Sequence, residues 1–406
     1  MNNADSVWEL PPSVLFRKRL VNAVLPAILL ALAVGQIYAF TIFSNPIAER
    51  LGVPQPRVQF AFSLGIFFLG MGAAFFGKIV ERNIKLSTFV GIVLFLSGLV
   101  LTGIGIRVKS LLLINLGYGF LTGLGTGVIY ITPVKTLMLW FKEHKAIAAA
   151  VPIISFGLGS SLCAILVKAL ENVADITRIF FMLAAIYFVP MLASAFMLKK
   201  PISEQQLAAA SANAGGFSYG KLLSDSWFLR AWLFMFLNIS CGLSLIPLSK
   251  QLMNTVGYSA GAITLVITGC GLMNGGGRLI FAWWSDRLKR RTDILLILLG
   301  ISVVVTLLAF CPPWIGLTLL VINACYGAGF STIPAVLADH FGMNDISKIH
   351  GAVLSAWGVA GLVGNQVSLR VFTAWGLKGV MAMLAFFYVL NMLNVLTLRK
   401  SATPNT

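Results

Sequence analysis

GKIVERNIKL, residues 77–86, and AWWSDRLKRR, residues 282–291, decide the fold. Each closes a long apolar run. Each then sets down an acid (Glu81, Asp286), an arginine directly after it (Arg82, Arg287), and further cations three or four residues beyond that arginine (Lys85; Arg290 and Arg291). An acid at a helix end can cap or bridge a neighbouring helix end while the cations stay in the interface. Its recurrence at corresponding places points to a chain built from two related halves, with these loops as paired clasps that open and close between helices.

The runs around these loops exclude a soluble protein. Hydrophobic residues make up 58% of the 406 and charged residues 11%, against roughly 25% charged in a soluble domain. A span needs about 20 mostly apolar residues, and twelve such stretches occur, near 20–44, 57–80, 86–106, 111–138, 146–170, 177–198, 228–252, 259–284, 293–311, 314–338, 349–372 and 376–398. The expected fold is therefore an all-α membrane protein of twelve transmembrane helices in two six-helix, pseudo-symmetric halves. The halves occupy 1–198 and 228–406. Residues 199–227, polar and rich in Ala, Ser and Gly, read as the cytoplasmic linker between them.

The 30 Lys plus Arg against 13 Asp plus Glu could suggest a nucleic-acid binder, but the cations sit in short clusters between apolar runs. With both termini inside, 19 cations fall on the cytoplasmic side and 9 outside, with Lys135 and Arg278 within spans, which is the bias that orients membrane proteins. The polar N-terminus, MNNADSVWELPPSVLF, lacks a signal-peptide pattern and is expected to remain on the protein, in the cytoplasm. Cys163, Cys241, Cys270, Cys311 and Cys325 lie among apolar residues and read as small buried hydrophobes. No metal-ligand spacing and no cluster of acid, base and nucleophile occurs, so neither a metal, a cofactor nor an enzyme activity is expected, and the catalytic set is empty.

A charge at the bilayer centre costs about 2.5–3.5 kcal/mol, so cations inside spans are the first functional candidates. Arg278 lies in span 8, its guanidinium directed from the cytoplasmic half toward the midplane. Glycines 275–277 leave room above it and Asn274 shares its face. A planar guanidinium can meet a carboxylate bidentately; the competing arrangement is bonding to backbone carbonyls of a neighbouring helix. Lys135, close to Trp140 at the end of span 4, either snorkels to the interface or is turned inward by the bend at Pro133. Tyr130, on the same span, is either a binding residue or a packing one. His144, His340 and His350 fall in or beside loops, and none reads as a transmembrane proton relay.

These features together resemble the major facilitator superfamily, whose loops after spans 2 and 8 carry a signature of the form G-x-L-a-D-R-x-G-R-R. Here it matches Gly77, Glu81, Arg82 and Lys85 in the first copy and Asp286, Arg287 and Arg290 in the second, with Glu81 as the acid and Ile84, Ala282 and Lys289 where glycines are usual. Within the superfamily the chain is most similar to the oxalate:formate exchanger and monocarboxylate transporter group. That likeness rests on GQIYAFTIFSNPIAERLGV (35–53), NGGGRLIFAWWSD (274–286) and IPAVLADHFGMNDISKIHGAVLSAWGVAGLVG (333–364). It implies further substrate-binding residues, Gln36, Tyr38 and Phe40 on span 1 and Trp357 on span 11. The exchanger's span-11 lysine aligns with Trp357, and no cation lies between Lys348 and Arg370, so the resemblance favours a monoanion over oxalate.

The expectation is a monomeric secondary active transporter in the cell inner membrane. It would carry a small organic anion, a monocarboxylate, by alternating access, through anion exchange or proton symport, with the lipid bilayer as its other partner and no nucleic acid. A transporter-like solute sensor and a transporter of a non-carboxylate solute are the alternatives.

Overall fold

The computed structural model describes residues 10–201 and 218–401. Residues 1–9, most of the expected linker (202–217) and residues 402–406 lie outside them. Among the described residues every regular element is helical. Ten helices are long and apolar enough to cross a membrane. They are α1 (Pro12–Leu51), α2 (Gln55–Arg82), α3 (Ile84–Arg107), α4 (Leu111–Trp140), α5 (Lys145–Leu170), α6 (Ile176–Met197), α7 (Ser226–Thr255), α8 (Ala260–Ser285), α10 (Ile315–Phe341) and a final helix, Ile346–Ser401. The 17 residues of α9 (Thr292–Leu308) sit at the short limit of a span. The final helix has 56 residues, roughly 84 Å at about 1.5 Å per residue, far more than one bilayer. It breaks at Gly376, whose φ of 62° and ψ of −154° only glycine adopts without strain, giving α11 (346–375) and α12 (377–401). The turn expected between spans 11 and 12 is this single residue.

Helix starts are fixed by side chains that accept otherwise unpaired backbone N–H groups. Asn83 receives Leu86 N–H, Asp175 receives Arg178 N–H, Asp225 receives Phe228 N–H and Ser259 receives Ala262 N–H. Gly52 ends α1 with φ 69°. Cys163, Cys241, Cys270 and Cys325 are buried, but Cys311 is exposed, because α9 ends at Leu308 and leaves it in the turn before Pro312.

The described residues fall into two compact units. One takes in residues to Phe217 together with Phe341–Gly358, and the other Ser218–His340 with Val359 onward. In the first, α2 packs on α4, α3 on α4 and α6, and α1 on α5 and α6. The start of α11 joins this unit through glycines spaced seven apart on both helices. A Cβ on Gly70 would stand 2.7 Å from Gly358 N, one on Gly77 2.6 Å from Lys348 Cα, and one on Gly358 2.7 Å from the Phe67 carbonyl oxygen, while one on Gly351 would run into the Ala73 carbonyl. With no side chains between them the two backbones touch, as small residues allow at helix crossings within membranes.

Candidate functional site

The aromatic candidates of the first unit are assembled by a defect in α1. Its residues Gly35–Ala39 form a 3-10 segment, which breaks the regular carbonyl pairing. The Tyr118 hydroxyl donates to two buried carbonyls of this segment, Ile37 O at 3.0 Å and Gln36 O at 3.3 Å, so the irregular backbone is satisfied inside the protein, as a membrane interior demands. A side chain at Gly35 would collide with the Phe156 carbonyl of α5. That close approach brings the Tyr38 ring to 5.4 Å from Phe156 and 6.2 Å from Trp357. Tyr130 of α4 completes the group, 5.2 Å from Phe156 and 5.5 Å from Trp357, both edge-on, and Phe156 lies 5.9 Å from Trp357.

Tyr38, Tyr130 and Trp357 thus come together, while the other two span-1 candidates do not join them. Gln36 is fully buried, with its side-chain oxygen accepting from Cys163 Sγ at 3.7 Å. Phe40 packs its ring on Tyr118 at 4.2 Å. Phe156, 1% exposed, was not among the sequence candidates, and only the facing glycines Gly35 and Gly159 of α1 and α5 hint at it. His350, expected in or beside a loop, lies in α11 just after its start at Ile346, 2% exposed, with its ring 6.4 Å from Tyr130. His340 stacks on Trp227 at 4.0 Å in the second unit, and His144 is exposed before α5.

Lys135 does not snorkel. It is 2% exposed and its ammonium pairs with Glu81 while donating to the Asn344 carbonyl at 3.2 Å. The other Glu81 oxygen accepts the Ser347 N–H at 2.5 Å, in the first turn of α11, where the helix dipole favours a negative charge. Lys200 donates to the Glu81 backbone carbonyl at 3.1 Å. Gly77, one turn earlier on α2, is the glycine that admits the α11 backbone. Arg82 and Lys85 are exposed.

In the second unit Asp286 is held by Arg291 at 3.1 Å, and Arg291 also reaches Asp339 at the end of α10 at 2.5 Å. Burial works against the Arg291 charge, but the two acids outweigh it and raise its pKa above the ordinary arginine value. Arg287 lies instead over the Trp283 ring, 3.4 Å from its centre, and Arg290 is exposed. Both acids therefore link an even-numbered helix end to the next even-numbered helix, Glu81 to α4 and Asp286 to α10.

The repeat extends into the helix crossings. Gly72 lies on the Leu124 carbonyl and Gly127 on the Leu69 carbonyl; Gly277 lies on Ala324 and Gly327 on the Asn274 carbonyl. An offset of 205 between α2 and α8, and of 200 between α4 and α10, converts each pair into its counterpart. The same offset of 205 relates Glu81 to Asp286 and Ala73 to Arg278. Where the first unit has a buried alanine, the second has an arginine that is 5% exposed. Its guanidinium carbon stands 5.7 Å from the Phe330 ring centre, within reach of a cation–π attraction. Its backbone carbonyl accepts from the Ser331 hydroxyl at 2.9 Å. A Cβ at Gly327 would meet both the Asn274 side-chain oxygen, at 3.0 Å, and the Arg278 stem, at 3.1 Å. Asn274 and Arg278 therefore share the face of α8 turned to α10. Among the described residues no group of His, Cys, Asp and Glu could hold a metal ion.

An uncharacterized transporter of this type from Escherichia coli K12, YhjX, is 24% identical over 81% of this chain and 83% of its own. The oxalate:formate antiporter of Oxalobacter formigenes is 24% identical over 87% of this chain and 85% of its own. The solved structure of the proton:xylose symporter XylE, bound to 6-bromo-6-deoxy-D-glucose, superposes with a TM-score of 0.71 over 96% of each chain at 14% identity, a likeness of fold. Residues 24–365, and in an overlapping match 244–406, fit the description of the Major Facilitator Superfamily. With ten helices among the described residues long and apolar enough to cross a membrane, a repeated acid clasp and repeated helix crossings, this multi-pass membrane chain belongs to the Major Facilitator Superfamily of transporters.

Proposed function

We propose that this transporter carries a small organic anion, a monocarboxylate, with Arg278 as the residue that receives the carboxylate. The observation that carries the reading is the arginine buried where the repeat has Ala73. An ionised side chain on a membrane helix costs several kcal/mol unless function repays it, and the other half shows that the crossing itself is built without one. Gly275 and Gly276 leave open space beside it, with nothing within 4 Å of a Cβ at either, and Asn274 adds an amide on the same face. A guanidinium offers a carboxylate two parallel donors. The kinship with an oxalate:formate antiporter supports an anionic solute, and the neutral Trp357 in the aromatic group supports one negative charge over two.

The acid clasps are assigned to the cytoplasmic face, where they form and break as access alternates. Calorimetric titration of the purified protein with short monocarboxylates tests the reading. Arg278→Ala should abolish the binding heat, and Arg278→Lys, which keeps the charge but loses the fork, should bind weakly. Undiminished binding by Arg278→Ala protein would remove the carboxylate assignment.

A further inference from the structure

We propose that His350 is a proton-binding site that opens when α2 and α11 part, so that protonation holds this helix pair apart. The residues concerned all belong to the first unit, and the inference holds whatever solute is carried. His350 is 2% exposed and directly precedes Gly351, where a Cβ would run into the Ala73 carbonyl of α2. The crossings of Gly77 with Lys348 and of Gly70 with Gly358 bracket it on either side. Its ring lies 6.4 Å from the Tyr130 ring of α4, and further along α4 Lys135 donates to the Asn344 carbonyl just before α11. The imidazole is therefore enclosed where the start of α11 docks on α2 and α4 together. Its Nε2 has no hydrogen-bond partner among the described residues, an expensive arrangement for a buried polar atom. An apolar ring would pack there without that cost.

The groups packed around it supply no counter-charge for an imidazolium. α2 presents Ala73 and Ala74, and the acid of that helix, Glu81, is committed to Lys135 of α4 and to the Ser347 N–H. On α11 itself Lys348, two residues away, faces another side, and Asp345 stands before the helix begins at Ile346. α5 and α1 reach α11 through Phe156 and Tyr38, two rings on Trp357, and the charged residues of α5 are Lys145 and Lys168, near its two ends. While the helices touch, a charged ring would lack both partner and water. Once they separate, water reaches the imidazole and it takes up a proton from water or buffer, one N–H bond forming on the ring with no other bond of the protein changed. By linkage, separation favours the proton and the proton favours separation to the same extent. The docked pair is thus at full strength well above the ordinary histidine pKa of about 6.5 and weakens as pH falls below it. Acidification of the cytoplasm, the face to which the clasp is assigned, then holds the carrier open on that side.

The test reads helix separation and needs no solute. Ser347, 2% exposed at the docked end of α11, is replaced by cysteine in a variant lacking the five native cysteines; the change leaves its backbone N–H free to bond Glu81. The purified protein in lipid nanodiscs meets a water-soluble thiosulfonate reagent from about pH 8 to about pH 4.5, either side of the ordinary histidine pKa. At each pH the rate is divided by that of Lys85→Cys, an exposed site of the same unit, which removes the pH dependence of the reagent. The proposal expects the relative rate to rise several-fold on acidification, with a midpoint near pH ~6.5, and no such rise once His350→Gln or His350→Asn is added. A flat profile with His350 present overturns it, as does a rise that persists in either His350 variant. A rise abolished by Glu81→Gln and kept by His350→Gln belongs to the clasp and overturns it too. Should neither His350 variant fold, the midpoint decides: a rise centred below about pH 5, toward the carboxylate range, overturns the proposal.

Discussion

Lys135 and Glu81 form a buried ion pair in the first unit, 2% and 11% exposed, and each is costly to leave alone. Removing one member of a buried pair costs about 3–5 kcal/mol, whereas removing both is far milder. Lys135→Met should therefore lower the thermal midpoint of the purified protein more than the double variant Lys135→Met, Glu81→Gln, whose amide oxygen can still accept the Ser347 N–H. A double variant less stable than the single one would show that the pair is not the reason Lys135 is buried. At this scale the sequence was only partly legible. Arg278 stood out because a charge in an apolar run is rare, and Glu81 because the loop pattern repeats. The partnership of Glu81 with Lys135 was hidden, since it joins residues 54 positions apart on two helices. Phe156 was silent as one of 29 phenylalanines.

Helices were legible from run length, but their irregularities were not. The 3-10 segment at Gly35–Ala39 follows from the approach of α5 at Gly35 and the hydroxyl of Tyr118, both contacts with distant segments. The glycine seam between α2 and α11 likewise depends on a pairing that neither helix reveals alone. It makes a selective prediction about stability. Gly351→Leu forces a side chain into the Ala73 carbonyl and should cost several times more than Gly300→Ala, where nothing lies within 4 Å of the new Cβ. Gly376→Ala should cost about 1–3 kcal/mol from backbone strain alone, although its surroundings are open. Thermal unfolding of the three variants in one detergent checks the order. Equal midpoints for Gly351→Leu and Gly300→Ala would mean that α2 and α11 do not touch in the protein as purified.

For the whole molecule, the apolar runs and the doubled loop were enough to reach the fold, because bilayer thickness and internal duplication both write themselves along the chain. Orientation rests on the cation bias and is testable separately. A single cysteine placed in the 199–227 linker of a variant lacking the five native cysteines should react with an impermeant maleimide only after the membrane is opened. Labelling in intact cells would reverse the assignment of the clasps to the cytoplasmic face. The central claim is that the repeat was broken at Arg278 to carry a carboxylate. Its most direct test is counterflow in proteoliposomes loaded with an unlabelled short monocarboxylate and diluted into the labelled one. The wild type should accumulate label transiently, Arg278→Ala should show none, and Arg278→Lys should show a small fraction. Wild-type accumulation by Arg278→Ala would contradict the claim.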